Sequence, residues 1–157
     1  LFGEVGKLGR VDGDADATEW LLFQQKLNHF IEEWGTSYAG RFLSIEGGMW
    51  VDFPYVQIYD LKLNDPVAFK NAHDKLVKQT SKTRGGRPVA FGVYDIGGGE
   101  DVTHWVAIGS KDFNDLIAQK AIEEAYVKEW TEWGKNNGGA TIKANYTLHV
   151  LAGYPNE

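Results

Sequence analysis

The chain has 157 residues, a formal net charge of −6 and no cysteine. This length predicts one domain with at most a substantial appendage. The acidic balance argues against a general nucleic-acid partner, and the lack of cysteine excludes disulfides, thiolate metal sites and cysteine nucleophiles. No apolar run approaches the roughly 18 residues that span a bilayer. We therefore expect a soluble protein without a membrane partner, in the cytoplasm or in a periplasmic or secreted setting.

Residues 1–54 predict an N-terminal extension built around one helix. Residues 1–15 are rich in Gly and Asp and have few large apolar side chains, which is typical of a loosely ordered lead-in. Apolar residues then recur at three- and four-residue steps over 18–34, and Gly35 supplies a stop. Residues 41–46 are compatible with a short strand. The extension is either a helix packed against the rest of the protein or the remnant of another helix–strand repeat.

The segment 55–151 alternates strands and helices. The predicted strands are Tyr55–Leu63, Arg87–Ile96, Val102–Ile108 and Thr141–Leu151. Asp65-Pro66 begins one helix, and Asp112 begins a second, long one that ends near Asn136. The order is strand, helix, strand, strand, helix, strand. It predicts an α+β fold of the ferredoxin-like βαββαβ type, with a four-stranded antiparallel sheet and two helices on one face. Residues 152–157 form a C-terminal tail.

An internal echo supports this arrangement. Val56-Gln57-Ile58 precedes a helix led by an aspartate, and Val106-Ala107-Ile108 precedes another, which begins at Asp112-Phe113. On this element order the chain resembles the dimeric α+β barrel superfamily, whose members include small monooxygenases, haem-degrading enzymes, polyketide cyclases and stress-responsive proteins. The resemblance implies a homodimer in which two sheets pack face to face, and a cleft between the sheet and the helices of each subunit.

Two histidines are candidates for chemistry. His104 alternates with Val106 and Ile108, so we expect it to face an apolar layer, either as a general base in the cleft or as a buried structural histidine. His149 shares a polar stripe with Asn145 and Thr147, which lines either a wet cavity or the solvent. No two of the four histidines have the spacing of metal ligands, so we expect no metal site.

Aromatic side chains on the strands are candidates for ligand contacts. An aromatic wall with a few polar tips suits a flat, largely apolar molecule, although the same rings could simply pack the core or a dimer interface. The candidates are Tyr59, Tyr94, Trp105 and Tyr146.

Two functions follow from these candidates. One is the binding or conversion of a small aromatic-like molecule in the cleft, as the resemblance to monooxygenases and cyclases implies. The other is a dimeric structural or stress-responsive protein without chemistry. No cofactor is required by either function, and haem remains the one open alternative, since a single histidine such as His104 can serve as its axial ligand.

Overall fold

The computed structural model describes residues 17–33 and 38–151. The predicted lead-in over 1–15, the predicted stop at Gly35 and the predicted tail over 152–157 lie outside these residues. The chain divides into two compact units, Leu1–Thr36 and Ser37–Glu157. The first unit contains helix α1, Ala17–Phe30, which corresponds to the helix expected over 18–34.

The second unit contains a five-stranded antiparallel sheet, three α-helices and one turn of 3-10 helix at Trp50–Asp52 among its described residues. Its strands are β1 (Ala39–Glu46), β2 (Tyr55–Leu63), β3 (Val89–Ile96), β4 (His104–Ser110) and β5 (Ala140–His149). Its helices are α2 (Pro66–Gln79), α3 (Phe113–Ala125) and α4 (Val127–Asn136).

The predicted ferredoxin-like arrangement of four strands and two helices is wrong. The sheet has five strands in the order β1-β3-β4-β2-β5, and β1 is the strand that the four-stranded prediction lacked. It pairs with β3 from Ala39 opposite Ile96 to Glu46 opposite Val89, with two irregularities in register. The free edge of β3 offers backbone hydrogen-bonding groups to any extended segment that reaches it. The segment 41–46 forms hydrogen bonds with these groups of β3, although its own side-chain pattern predicts a strand only weakly.

The prediction of one long helix after Asp112 is also wrong. Asp112 does begin α3, because its carboxylate accepts a hydrogen bond from the N–H of Asp115 at 2.8 Å. The backbone leaves helical geometry at Tyr126, with φ −123° and ψ 41°, and α4 begins at the next residue. Neither Gly nor Pro marks this break in the sequence, so the helical periodicity runs through it unaltered.

The start of α2 is confirmed. Asp65 caps the helix by accepting hydrogen bonds from the N–H groups of Val67 and Ala68, both at 3.0 Å, and Pro66 occupies the first turn. The capping carboxylate satisfies donors that have no partner within the helix. This start lets α2 return over the sheet directly after β2.

The side chains of the sheet alternate between two faces. The face toward α2, α3 and α4 carries the larger buried cluster: Leu61, Leu63, Phe69, Phe91 and Val106. The opposite face carries a smaller buried cluster of Val56, Ala90 and Ala107, with Trp50, Ile58 and Trp105 packed against it. The two faces therefore have different surroundings, and the candidate site lies on the first.

Candidate functional site

A cavity of about 400 Å³ lies between the sheet and helices α2, α3 and α4. Small-molecule sites typically measure about 300–1,000 Å³ and are mostly apolar with a few polar groups. The sheet contributes Tyr59, Leu61, Val89, Val106, Ile108, Ala140 and Ile142. The three helices contribute Phe69, His73, Leu76, Val77, Gln119, Ile122, Glu123, Trp130 and Trp133. Thr80, Arg84, Arg87 and Asn137 complete the lining from the connecting segments.

Helix α2 positions the most deeply buried wall of the cavity. Phe69, His73, Leu76 and Val77 recur at steps of one, three and four residues, so they share the face that points to the sheet. The Phe69 side chain is 2% exposed, and its ring lies 5.0 Å from that of Phe91 on β3. Aromatic pairs at this separation add to the stabilisation that comes from burial alone.

Helix α4 supplies two tryptophans, Trp130 and Trp133, to the cavity lining. Their rings meet edge to face with centroids 5.6 Å apart, and Trp133 makes a similar contact with Phe69 at 5.9 Å. The indole nitrogens of Trp130 and Trp133 are both buried and have no hydrogen-bond partner in the described part of the chain. A buried indole N–H without a partner carries a desolvation cost that an acceptor on a bound molecule would relieve.

His73 brings a titratable ring to the cavity. Its ring stacks on that of Phe69 with centroids 6.0 Å apart, and its Nδ1 lies 3.4 Å from a carboxylate oxygen of Asp74. Burial lowers the pKa of His73, and the neighbouring Asp74 only partly opposes this effect. The Nε2 atom is buried and has no partner within the described residues. His73 is therefore neutral near pH 7, with one nitrogen facing a carboxylate and the other left unpaired.

Two arginines line the cavity, and one of them, Arg87, is paired with a carboxylate. Arg87 donates to both Asp115 carboxylate oxygens, with Nε 3.1 Å from Oδ2, and to the backbone oxygen of Asp115 at 3.2 Å. The hydrogen bond from Arg87 holds the pKa of Asp115 below its usual range. This pair holds the first turn of α3 against the segment that leads into β3.

The second arginine is not satisfied. Arg84 is 8% exposed, and its Nη2 donates to the backbone oxygen of Val77 on α2. Its Nε and Nη1 are buried and make no hydrogen bond within residues 17–33 and 38–151. Burial lowers the pKa of Arg84, an effect that Glu46 opposes and that Arg87 reinforces. Arg84 thus places an incompletely paired cation at the cavity.

Tyr59 is the sequence-predicted ligand contact that lines this cavity. Burial raises the pKa of its hydroxyl, and the nearby carboxylate of Glu123 raises it further. The hydroxyl is therefore protonated over the physiological range and can donate a hydrogen bond. Tyr59 gives the sheet side of the cavity one polar tip on an aromatic body.

The two predicted catalytic histidines lie on the same face of the sheet but outside the cavity lining. His104 is buried, as its alternation predicts, and stacks on Phe91 at 5.4 Å with its Nδ1 2.7 Å from the Thr103 hydroxyl. Burial lowers its pKa. His149 is exposed near the end of β5 and stacks on Tyr55 at 4.3 Å. Neither histidine lines the cavity, although the rings of His104 and His73 both contact that of Phe91.

The other three predicted contacts lie on the opposite face of the sheet. Strand register places Trp105 opposite Asp60 and Tyr146 opposite Ile58, so neither faces the helices. The Trp105 indole lies over Gly92 of β3, where an added Cβ would sit 2.1 Å from the ring. The Tyr94 hydroxyl donates to Asp60 at 2.6 Å. Burial and this hydrogen bond to a carboxylate both raise the pKa of Tyr94.

The most informative side chains in the cavity are therefore ones that the sequence analysis did not select. His73 falls on the apolar helical face of α2 between Phe69 and Leu76, and that position in the sequence could have identified it. Trp130 and Trp133 lie three residues apart on α4, so helical spacing alone could have placed them on one face. Arg84 stands in a polar connection, where the sequence carries no signal that its guanidinium is buried.

The residues near His104 do not fit an axial haem site. The histidine ring is held between Phe91 and the Thr103 hydroxyl, and it does not line the cavity. In the described residues there is no group of three or more histidine, aspartate or glutamate side chains placed to hold a metal ion. No described helix is long and apolar enough to cross a membrane.

Comparisons with protein-family models, with curated proteins and with solved structures found no match. The functional argument therefore rests on the geometry and chemistry of the cavity.

Proposed function

We propose that the protein binds a small, largely apolar, aromatic-like molecule in the cavity between the sheet and helices α2, α3 and α4. One observation carries the proposal. The cavity of about 400 Å³ has aromatic and aliphatic walls, and buried polar atoms of His73, Arg84, Trp130 and Trp133 along it have no hydrogen-bond partner among the described residues.

The unfilled cavity and the unpaired polar atoms both lower the stability of the fold, and a bound ligand would offset this loss. Cores are normally packed to the density of organic crystals, so a cavity of this size forfeits dispersion contacts along its walls. A buried polar group without a partner costs roughly 1–3 kcal/mol. A molecule with an aromatic body and a few hydrogen-bonding groups would restore the contacts and pair the orphaned atoms.

A conversion of the bound molecule, of the monooxygenase or cyclase kind that the resemblance implies, would need a group that takes up a proton beside it. His73 has the position for that role, because its Nε2 is unpaired and its Nδ1 lies near the Asp74 carboxylate. His104 and His149 lie outside the cavity lining. The proposal itself is binding, and His73 is where a reaction would be sought.

Calorimetric titration with naphthalene-2-carboxamide, here called naphthamide, tests the proposal with a neutral aromatic probe. We expect saturable binding of one molecule per chain, with a change in tryptophan fluorescence from Trp130 and Trp133. Ile122→Trp fills the cavity from α3 and should weaken binding at least about tenfold, because a larger side chain occupies the ligand's space.

Ile117→Trp is the matched control, since it makes the same change on the same helix at a residue that is 54% exposed and outside the lining. It should bind naphthamide as the wild type does. Absence of binding to the wild type, or equal affinity in wild type and Ile122→Trp, would contradict the proposal.

We also propose that two copies of the chain associate through the face of the sheet opposite the cavity. Four apolar side chains on or beside this face are exposed: Phe42, Ile45, Tyr146 and Leu148, with exposed fractions of 58%, 54%, 40% and 49%. They stand on the two edge strands, β1 and β5, and the half-buried side chains of Ile58 and Trp105 lie on strands between them. Exposed apolar patches are typical of interaction surfaces. A sheet face of the same kind on a second copy would cover them. This association is the structural alternative to a role in chemistry, and the two can coexist.

Sedimentation equilibrium over a range of protein concentrations tests this association. We expect a dimer for the wild type and a monomer for Leu148→Glu, because a carboxylate on this face would have to be buried without a partner. Val127→Glu changes an exposed residue on α4 and should leave the dimer intact. A wild-type protein that sediments as a monomer at all concentrations would refute the association.

A further inference from the structure

The proposed cavity has a polar end that specifies more about its ligand. We infer that the molecule carries an anionic group, a carboxylate in the simplest case, and that this group binds Arg84. The inference rests on the proposed function and narrows the ligand to an aromatic or similarly apolar carboxylic acid.

The first step is the unpaired guanidinium. Arginine has five N–H donors, and in proteins it stays protonated. At Arg84 one contact is made, from Nη2 to the Val77 backbone oxygen, whereas Nε and Nη1 are buried and unpaired in the described part of the structure. Buried charges are ordinarily paired and hydrogen-bonded, since an isolated one is costly.

The second step is the charge around it. Arg87 adds to the positive field at Arg84, and its own charge is balanced by Asp115. Glu46 acts on Arg84 at a distance, but its carboxylate is not a partner of Nε or Nη1. On α2, His73 is neutral. Within the described ranges no carboxylate therefore pairs with the guanidinium, and an anion is the group that would supply a counter-ion.

The third step is the position of the other acids. Glu123, which lines the cavity, acts on Tyr59 and not on Arg84, and Asp74 follows His73 on α2. Its carboxylate accepts a hydrogen bond from Lys70 at 2.5 Å and lies beside His73. Burial is the largest single influence and acts to raise the pKa of Asp74, but several hydrogen bonds, of which the one from Lys70 is the strongest, together outweigh it and the pKa is lowered. Asp74 is thus ionised and already occupied, so it does not compete for Arg84.

The fourth step is the pairing of this cation with an apolar chamber. Arg84 shares the cavity with Phe69, Trp130 and Trp133, so a ligand that reaches the guanidinium also lies against aromatic walls. Charge-assisted hydrogen bonds from arginine to carboxylate are short and about twice as strong as neutral ones. A neutral hydrocarbon would leave Arg84 unpaired, and a cationic ligand would be repelled by it.

Naphthalene-2-carboxylate, here called naphthoate, has the same rings and nearly the same shape as naphthamide. It carries an anionic carboxylate, which only accepts hydrogen bonds, in place of the neutral amide, so the two probes test the inference as a pair. We expect calorimetry of the wild type at pH 7.5 to give a dissociation constant at least about tenfold lower for naphthoate than for naphthamide. In Arg84→Gln this preference should disappear, so that the dissociation constants of the two probes lie within about twofold of each other, because the charge that distinguishes them is gone.

Arg41→Gln removes an equal charge at a residue that pairs with Asp95 outside the cavity, and it should keep the preference. If Arg84→Gln does not fold, Arg84→Lys decides instead. An ammonium cannot replace the separate Nε and Nη1 donors of the guanidinium, so the preference should fall severalfold. An unchanged preference in the variant that folds would overturn the inference.

The outcomes separate the inference from the proposed function. Equal or weaker binding of naphthoate relative to naphthamide would overturn the anionic ligand while leaving an aromatic-binding cavity in place. Failure of both probes to bind the wild type would overturn the proposed function itself, and the inference with it.

Discussion

Replacement of Phe69 by alanine tests the packing that shapes the cavity. The Phe69 side chain is 2% exposed, and its ring contacts those of Phe91 and Trp133 at 5.0 and 5.9 Å. Truncation of a buried phenylalanine to alanine usually costs about 3–5 kcal/mol, through lost burial and the space left behind. One side of Phe69 already faces the cavity, so fewer contacts are lost than in a solid core, and we expect about 3 kcal/mol.

Urea unfolding monitored by tryptophan fluorescence measures this loss. The slope of the unfolding free energy against urea concentration should be the same in the variant and the wild type, which checks that the unfolded state is unchanged. A domain of ordinary stability has about 5–15 kcal/mol in total, so the midpoint should fall markedly. Val67→Ala on the same helix is the control, because Val67 is 71% exposed and its truncation should cost less than about 0.5 kcal/mol. A cost below about 1 kcal/mol for Phe69→Ala would refute the packing described here.

Three further variants address titration, a buried hydrogen bond and a helix cap. Burial lowers the pKa of His73 in the folded protein, so below the usual value of about 6.5 the unfolded chain binds more protons than the folded one. The free energy of unfolding therefore decreases as the pH decreases, by at most ~1.4 kcal/mol per pH unit from this group. His73→Gln should therefore show a shallower loss of unfolding free energy between about pH 6.5 and 5 than the wild type, and parallel curves would contradict the assignment. Tyr94→Phe removes the donor to the buried carboxylate of Asp60 and should cost about 1–3 kcal/mol in urea unfolding; a change under about 0.5 kcal/mol would show that water replaces the hydroxyl. Asp65→Ala removes the cap of α2 and should cost about 1 kcal/mol, whereas Asp65→Asn should retain most of the stability, and equal losses in the two variants would argue against capping.

Local signals in the sequence predicted much of the fold. The Asp65-Pro66 start of α2 is confirmed, and so are the two consecutive strands predicted over Arg87–Ile96 and Val102–Ile108, which pair antiparallel as β3 and β4. Each of these features depends on residues that are close together in the chain. The burial of His104 is confirmed as well, since strand alternation alone decides which face a side chain occupies.

Long-range packing accounts for what the sequence did not predict. The pairing of β1 with β3 joins residues about fifty positions apart, so no local signal in the sequence predicts it. The apolar side chains Phe42 and Ile45 of β1 remain exposed in the structure, so burial does not mark this strand either. The break at Tyr126 has no Gly or Pro to announce it. The cavity is less predictable still, since it arises where three helices fail to fill the space above the sheet, and the burial of Arg84 depends on all of them.

A structure from crystals grown with naphthoate tests most directly the central claim, that the cavity binds an aromatic carboxylate through Arg84. The account predicts the naphthyl rings in the cavity against Phe69 and Trp133, with the carboxylate at hydrogen-bond distance, about 2.7–3.2 Å, from Arg84. A structure at saturating naphthoate in which the cavity has collapsed, or in which the ligand lies elsewhere and Arg84 is paired with Glu46, would contradict it.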